Sequence, residues 1–137
     1  MKYLVDANVL SEATKPTPSP AVLRWLSEHE TELATSPIVL GELEYGILTL
    51  PAGKRRTRLA KWFANGTGFL RVLEFDASTA RAWAILLANL RRKGRAMPIK
   101  DSLIAASAIE HGLTLATRNV ADFRYSGTRT VNPFTAG

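Results

Sequence analysis

A chain of 137 residues with 46% hydrophobic and 22% charged residues is long enough for one packed core, and its formal charge is +6 at pH 7. It has no cysteine, which excludes disulfides and thiolate metal sites and fits a reducing, cytoplasmic setting. No apolar run approaches the ~20 residues of a membrane-spanning helix, and Lys2 is followed by only three apolar residues before Asp6, which excludes a signal-peptide core.

In chain order, Lys2 to Asp6 reads as a short buried strand and Asn8 to Ala13 as a short helix. The run Lys15-Pro16-Thr17-Pro18-Ser19-Pro20 breaks the chain. Ser19 caps a second helix with Pro20 at its first position, and Val22, Leu23, Trp25 and Leu26 form its apolar stripe to near Glu30. Glu32 to Thr35 is a second strand. Ser36-Pro37 starts a helix carrying Ile38, Val39, Leu43, Ile47 and Leu50 at helical spacing, ended by Pro51-Ala52-Gly53. Lys54 to Asn65 is a basic amphipathic helix with Leu59, Trp62 and Phe63 on its apolar side, closed by Gly66 and Gly68.

Phe69 to Phe75 reads as a third strand, and Asp76 caps a long helix from Ala77 to about Lys93, ended by Gly94. Its expected buried face is Ala80, Trp83, Ala84, Leu87 and Leu90. Pro98 begins a helix to His111, with Gly112 past its end; Leu113 to Ala116 is a fourth strand, and Arg129 to Val131 a short fifth at the edge. No repeat or linker divides the chain, so residues 1–137 are expected to form a single domain. Short strands alternating with helices predict a three-layer α/β/α domain around a mostly parallel sheet of four to five strands.

The positive charge is clustered. Lys54, Arg55, Arg56, Arg58 and Lys61 form one group, and Arg91, Arg92, Lys93 and Arg95 another. Both suit a polyanion through counterion release, or else a solvated helix face and a helix C-terminus favoured by the macrodipole.

Three acids and one polar cluster carry the chemistry. Asp6 closes the first strand, Glu42 lies within two turns of the start of the helix after the second, and Asp101 is in the first turn of the helix leading into the fourth. Thr117-Arg118-Asn119-Val120-Ala121-Asp122 follows the fourth strand. In an open parallel sheet, ligands bind beyond the carboxyl ends of the strands, and all four positions fall at that edge. Grouped carboxylates are costly without a cation, and hard oxygen ligands without thiolate or imidazole suit Mg²⁺ or Mn²⁺, the ions of phosphoryl chemistry. Structural roles stand beside this reading. Asp6 could cap the helix from Asn8, Asp101 could serve the helix dipole, and Asp122 could be a ligand or cap a turn before Phe123. Asp76 reads as a cap, and His29 and His111 as helix C-terminal imidazoles.

Leu4-Val5-Asp6-Ala7-Asn8-Val9-Leu10-Ser11-Glu12, Ser36-Pro37-Ile38-Val39-Leu40-Gly41-Glu42-Leu43, Pro98-Ile99-Lys100-Asp101-Ser102-Leu103-Ile104-Ala105-Ala106 and Ala116-Thr117-Arg118-Asn119 stand in order along the chain. Together they resemble the motifs of PIN-domain ribonucleases, and within them the VapC toxins of bacterial type II toxin–antitoxin systems, in the FitB-like branch. The likeness runs on to Val131-Asn132-Pro133-Phe134.

This resemblance implies a Mg²⁺- or Mn²⁺-dependent endoribonuclease in which Asp6, Glu42 and Asp101 match the family's metal-binding acids. The family's fourth acid falls on Asn119, which is neutral; Asp122, three residues on, could restore the charge. Asn8, Ser36 and Thr117 are implied hydrogen-bonding groups around the ligands, and Lys54, Arg55, Arg56 and Arg58 candidate RNA contacts. A homodimer and a VapB/FitA-like antitoxin are implied as well, with operator DNA reached only through the antitoxin. Trp25, Leu26, Trp62 and Phe63 could line the antitoxin's groove or serve the core. Two readings compete with this one. The first is a catalytically weak PIN-type nucleic-acid-binding module, suggested by Asn119. The second is an α/β phosphatase, disfavoured because Leu4-Val5-Asp6-Ala7-Asn8 lacks a second aspartate and no glycine-rich phosphate loop is present.

Overall fold

The computed structural model of the chain describes residues 1–66 and 70–135. Its strands are β1 (Tyr3–Val5), β2 (Leu33–Thr35), β3 (Arg71–Val72), β4 (Thr114–Ala116) and β5 (Thr130–Val131). The helices are α1 (Ala7–Glu12), α2 (Pro20–Glu28), α3 (Pro37–Leu48), α4 (Lys54–Gly66), α5 (Ala77–Arg92) and α6 (Ile99–Glu110). Short 3₁₀ turns cover Glu30–Glu32 and Val120–Phe123. The strands form one all-parallel sheet in the order β3-β2-β1-β4-β5. Successive strand residues point to opposite faces, and Leu4 with Val5, Ala34 with Thr35, and Leu115 with Ala116 are all fully buried. Both faces of the sheet are therefore covered by helices, the expected three-layer α/β/α arrangement.

The caps follow the sequence closely. Ser19 accepts from the Val22 amide and Ser36 from the Val39 amide, each with proline opening the helix. Asp76 and Thr79 form a reciprocal capping box at the start of α5. Gly94 (φ 66°) and Gly112 (φ 65°) follow α5 and α6 in the left-handed conformation that ends a helix cheaply only for glycine.

Three expectations need correcting. The third strand is limited to Arg71–Val72; Gly68 and Phe69 lie outside the described residues, and Leu73 to Phe75 leave the ladder after one bond from the Leu73 amide to Thr35. The buried stripe of α5 is Thr79, Leu86 and Leu90, with Trp83 and Leu87 half-buried, while Ala80 and Ala84 face solvent. On α2, Leu23 is exposed and the buried residues are Val22 and Trp25. Trp25 packs edge-on against Tyr3 (4.9 Å between ring centroids) and beside His29 (4.7 Å).

Strand order sets the place of chemistry. From β1 the chain builds outward to β2 and β3 on one side and returns to β4 and β5 on the other. The switch point lies between β1 and β4, where loops leave in opposite directions and open a crevice. Asp6 ends β1 and Thr117 ends β4.

Candidate active site

Asp6 is the centre of this crevice. It is 5% exposed and acts as the cap of α1, its Oδ1 accepting from the Ala7 amide at 2.8 Å. Its Oδ2 accepts from Thr117 Oγ1 at 2.8 Å and from Asn8 Nδ2 at 3.3 Å. These donors offset the cost of burying a carboxylate. Capping and site membership are thus one arrangement, since the cap uses one oxygen and the other faces β4. Asn8 ties the two loops further, its Oδ1 accepting from the Arg118 amide at 3.0 Å. Thr117, fully buried, accepts from the Asn119 amide at 3.1 Å. The Arg118 guanidinium lies 4.6 Å from the centre of the Phe134 ring, which fastens the C-terminal segment to this edge.

Glu42 and Asp101 come to the same crevice from α3 and α6, which pack on each other. Glu42 sits beside the buried stripe Val39-Leu43-Ile47. Burial, then the charges of Asp6 and Asp101, raise its pKa above the ordinary glutamate range, against an opposing pull from Lys100. Burial, then Asp6 and Asp122, raise the pKa of Asp101 likewise. Glu42 and Asp101 thus both feel the charge of Asp6, while Oε1 of Glu42 is buried with no hydrogen-bond partner. The start of α6 has no side-chain cap; instead Ser102 Oγ donates to the Ile99 carbonyl (2.6 Å) and accepts from Trp83 Nε1 (2.9 Å), fixing the turn that carries Asp101.

Sequence reasoning missed Lys100. Its Nζ lies 3.3 Å from Glu42 Oε2, with the Glu42 side chain 21% and the Lys100 side chain 59% exposed. The only signal was a cation adjoining Asp101 in the first turn of a helix, pointing a helical step away toward α3. The other expected residues fall as follows. Ser36 is fully buried and spends its hydroxyl on capping α3. Asn119 and Asp122 are exposed, on the 3₁₀ turn after β4, with the Asp122 amide bonded to the Asn119 carbonyl. Glu12 is buried but fastens the proline-rich link, accepting from the Ser19 amide and pairing with Lys15.

A cleft of about 330 Å³ opens beside the acids, and Asn8, Glu42, Arg55, Ile47 and Trp62 are among its lining residues. Of the four basic candidates on α4, only Arg55 borders it; Lys54, Arg56 and Arg58 line depressions on other sides of the helix. Trp62 lines the cleft while packing against the edge of the core, whereas Trp25, in its ring cluster, is buried within the core.

The donor set fits a hard divalent ion in kind: carboxylate oxygens, one buried without a partner, with no thiolate among them. Among the described residues, no three acidic or histidine side chains stand close enough together to grip an ion as they are, and the cation nearest Glu42 is Lys100.

The fold and this crevice define a PIN domain. The PIN-domain family model matches residues 3–125, and the chain belongs to that family. It is 38% identical over 136 residues to VapC ribonuclease Y4jK of Sinorhizobium fredii, covering 96% of each chain. It is 32% identical to Toxin FitB of Neisseria gonorrhoeae, over 96% of this chain and 97% of that one. Among solved structures, FitAB bound to an IR36 DNA fragment contains a chain that superposes with a TM-score of 0.91 at 28% identity, covering 98% of this chain and 97% of that one.

Proposed function

We propose that this PIN domain, spanning residues 1–137, is a cytoplasmic metal-dependent endoribonuclease and the toxin of a bacterial type II toxin–antitoxin pair. The observation that carries the reading is Asp6: a buried carboxylate at the topological switch point, cross-linked to β4 through Thr117 and Asn8, whose charge is felt by both Glu42 and Asp101. Asp6, Glu42 and Asp101 would hold Mg²⁺ or Mn²⁺, with Asn119 or Asp122 at the fourth position. When bound, such an ion supplies a water of lowered pKa and neutralises charge on the phosphate. Thr117 and Asn8 keep Asp6 oriented, and Ser102 with Trp83 fix the turn presenting Asp101. Arg55, on the cleft wall, offers a guanidinium fork to a phosphate.

The relatives support the partners. A VapB/FitA-like antitoxin would silence the toxin and carry the complex to operator DNA, and a homodimer is the assembly we expect. Among the described residues no helix is long and apolar enough to cross a membrane. A second reading, a catalytically weak PIN-type nucleic-acid-binding module, is favoured by neutral Asn119 and by the pairing of Glu42 with Lys100. Incubating the purified toxin with RNA in Mn²⁺, in EDTA, and as Asp101→Asn decides between them. The nuclease reading expects cleavage only by wild type with metal; the binding module expects RNA retention without cleavage in all three.

A further inference from the structure

The fold brings a second set of groups to the acidic edge. Ser78, in the first turn of α5, bonds to Glu110, in the last turn of α6. The two helices are therefore antiparallel, and the end of α5 lies at the start of α6, beside Asp101. That end carries Arg91, Arg92 and Lys93, and the connection to α6 carries Arg95. From the other side, the 3₁₀ turn containing Asp122 delivers Arg124 and Tyr125. The guanidinium carbon of Arg95 lies 4.1 Å from the centre of the Tyr125 ring, and that of Arg124 lies 4.8 Å from it.

All three side chains are exposed, and among the described residues neither arginine forms an ion pair with a carboxylate. Two like charges gathered on one ring repel each other, and the ring quadrupole compensates by only about 0.5–1 kcal/mol each at exposed sites. An anion between them completes the arrangement. The cation–π contact holds each guanidinium at the ring while leaving its N–H fork free to engage phosphate oxygens. A small anion would need only one such fork. Two forks on one ring, at the end of the molecule that presents Asp6 and Asp101, fit successive phosphates of a strand entering the crevice.

We infer that Arg95, Tyr125 and Arg124 form a seat for the RNA backbone on the α5–α6 side of the acidic crevice, opposite the Arg55 wall. This rests on the nuclease reading for the direction of the strand, but binding can be measured without chemistry. The probe is a short fluorescein-labelled single-stranded RNA, titrated in EDTA and followed by anisotropy across a salt series. Arg95→Ala/Arg124→Ala should weaken binding roughly tenfold and lower the slope of log affinity against log salt by about 1.4, at about 0.7 per phosphate contact. Arg95→Gln alone, a milder change at an exposed position, should remove about half that slope. Tyr125→Phe keeps the ring and should bind as wild type, whereas Tyr125→Leu should weaken binding because the guanidinia lose their support.

Wild-type affinity and slope in both arginine variants would overturn the seat, as would wild-type binding by Tyr125→Leu. Intact RNA binding with lost affinity for the cognate antitoxin would assign the patch to a protein and overturn it as well. Cleavage assays keep the two proposals apart. A wild-type protein that never cleaves, combined with weakened binding in the variants, sinks the nuclease reading and leaves the seat standing. Normal cleavage with unchanged binding does the reverse.

Discussion

Glu42 should be worth more to function than to stability, and replacing it should make the metal-free protein more stable. Its carboxylate is four-fifths buried, one oxygen has no partner, and Asp6 and Asp101 add repulsion. Lys100 offsets part of this, but a pair whose lysine is largely exposed is worth about 1 kcal/mol at most. Burial and repulsion win, because the pKa is raised with the Lys100 attraction already acting. An acid with a raised folded-state pKa binds its proton more tightly folded than unfolded. Its penalty is complete above the folded pKa and disappears as pH falls below the unfolded one. Glu42→Gln keeps the shape and removes the charge, so in EDTA near neutral pH it should gain about 0.5–2 kcal/mol. For a chain of 137 residues each 1 kcal/mol moves the thermal midpoint by about 3–5 °C. Urea unfolding at neutral and mildly acid pH provides the assay. The advantage should shrink in acid as the wild-type carboxyl protonates. Under saturating Mn²⁺ the order should reverse, since an ion bound at 100 times its Kd adds about 2.7 kcal/mol to the protein that binds it. A neutral-pH stability equal to or below wild type in EDTA would refute the claim that the crevice strains its acids.

Substitutions at four further positions probe the same edge. Thr117→Val should destabilise the fold by about 1.5–3 kcal/mol by removing a donor to buried Asp6, and Thr117→Ser should restore both stability and cleavage; equal stability of Val and Ser variants in urea would rule this out. Lys100→Met removes the cation at Glu42 and should tighten Mn²⁺ binding by about 1 kcal/mol, roughly fivefold, read by calorimetry; unchanged affinity would make the pair incidental. Asn119→Asp should lower the Mn²⁺ concentration for half-maximal cleavage if Asn119 is the fourth position. Asp122→Asn should raise it if Asp122 is, and no effect from either would place that turn outside the site.

The parts of the fold that were legible in the sequence are those with a local cause. Ser19, Ser36 and Asp76 announce their helices because each side chain satisfies a nearby amide, and Gly94 and Gly112 end theirs because few other residues adopt their backbone angles. The errors arose where a third element decides. Alanines on α5 looked like a core face, but they bury little area and mark no direction; the capping box and the packing of Trp83 on Ser102 turned the helix so that Thr79 and Leu86 point inward. For Trp25 the sequence favoured the core over a partner's groove, and its packing against Tyr3 and His29 places it there.

The site divides along the same line. Asp6 was legible because topology alone places it: β1 is the first strand and the central one, so the residue that ends it stands where loops diverge, whatever the helices do. Glu42 and Asp101 needed in addition the rotation of α3 and α6 about their axes, which the apolar stripes of those helices encode. Lys100 needed the distance between the two helices, and no periodicity in either carries that. A lysine one residue before an acid at the start of a helix is an ordinary sequence. It becomes the counterion of Glu42 only because α3 packs against α6 within reach of its side chain. The charge balance of the crevice is therefore set by helix packing, and substitutions that move α6, such as Ser102→Val or Trp83→Leu, should disturb it as surely as changing an acid.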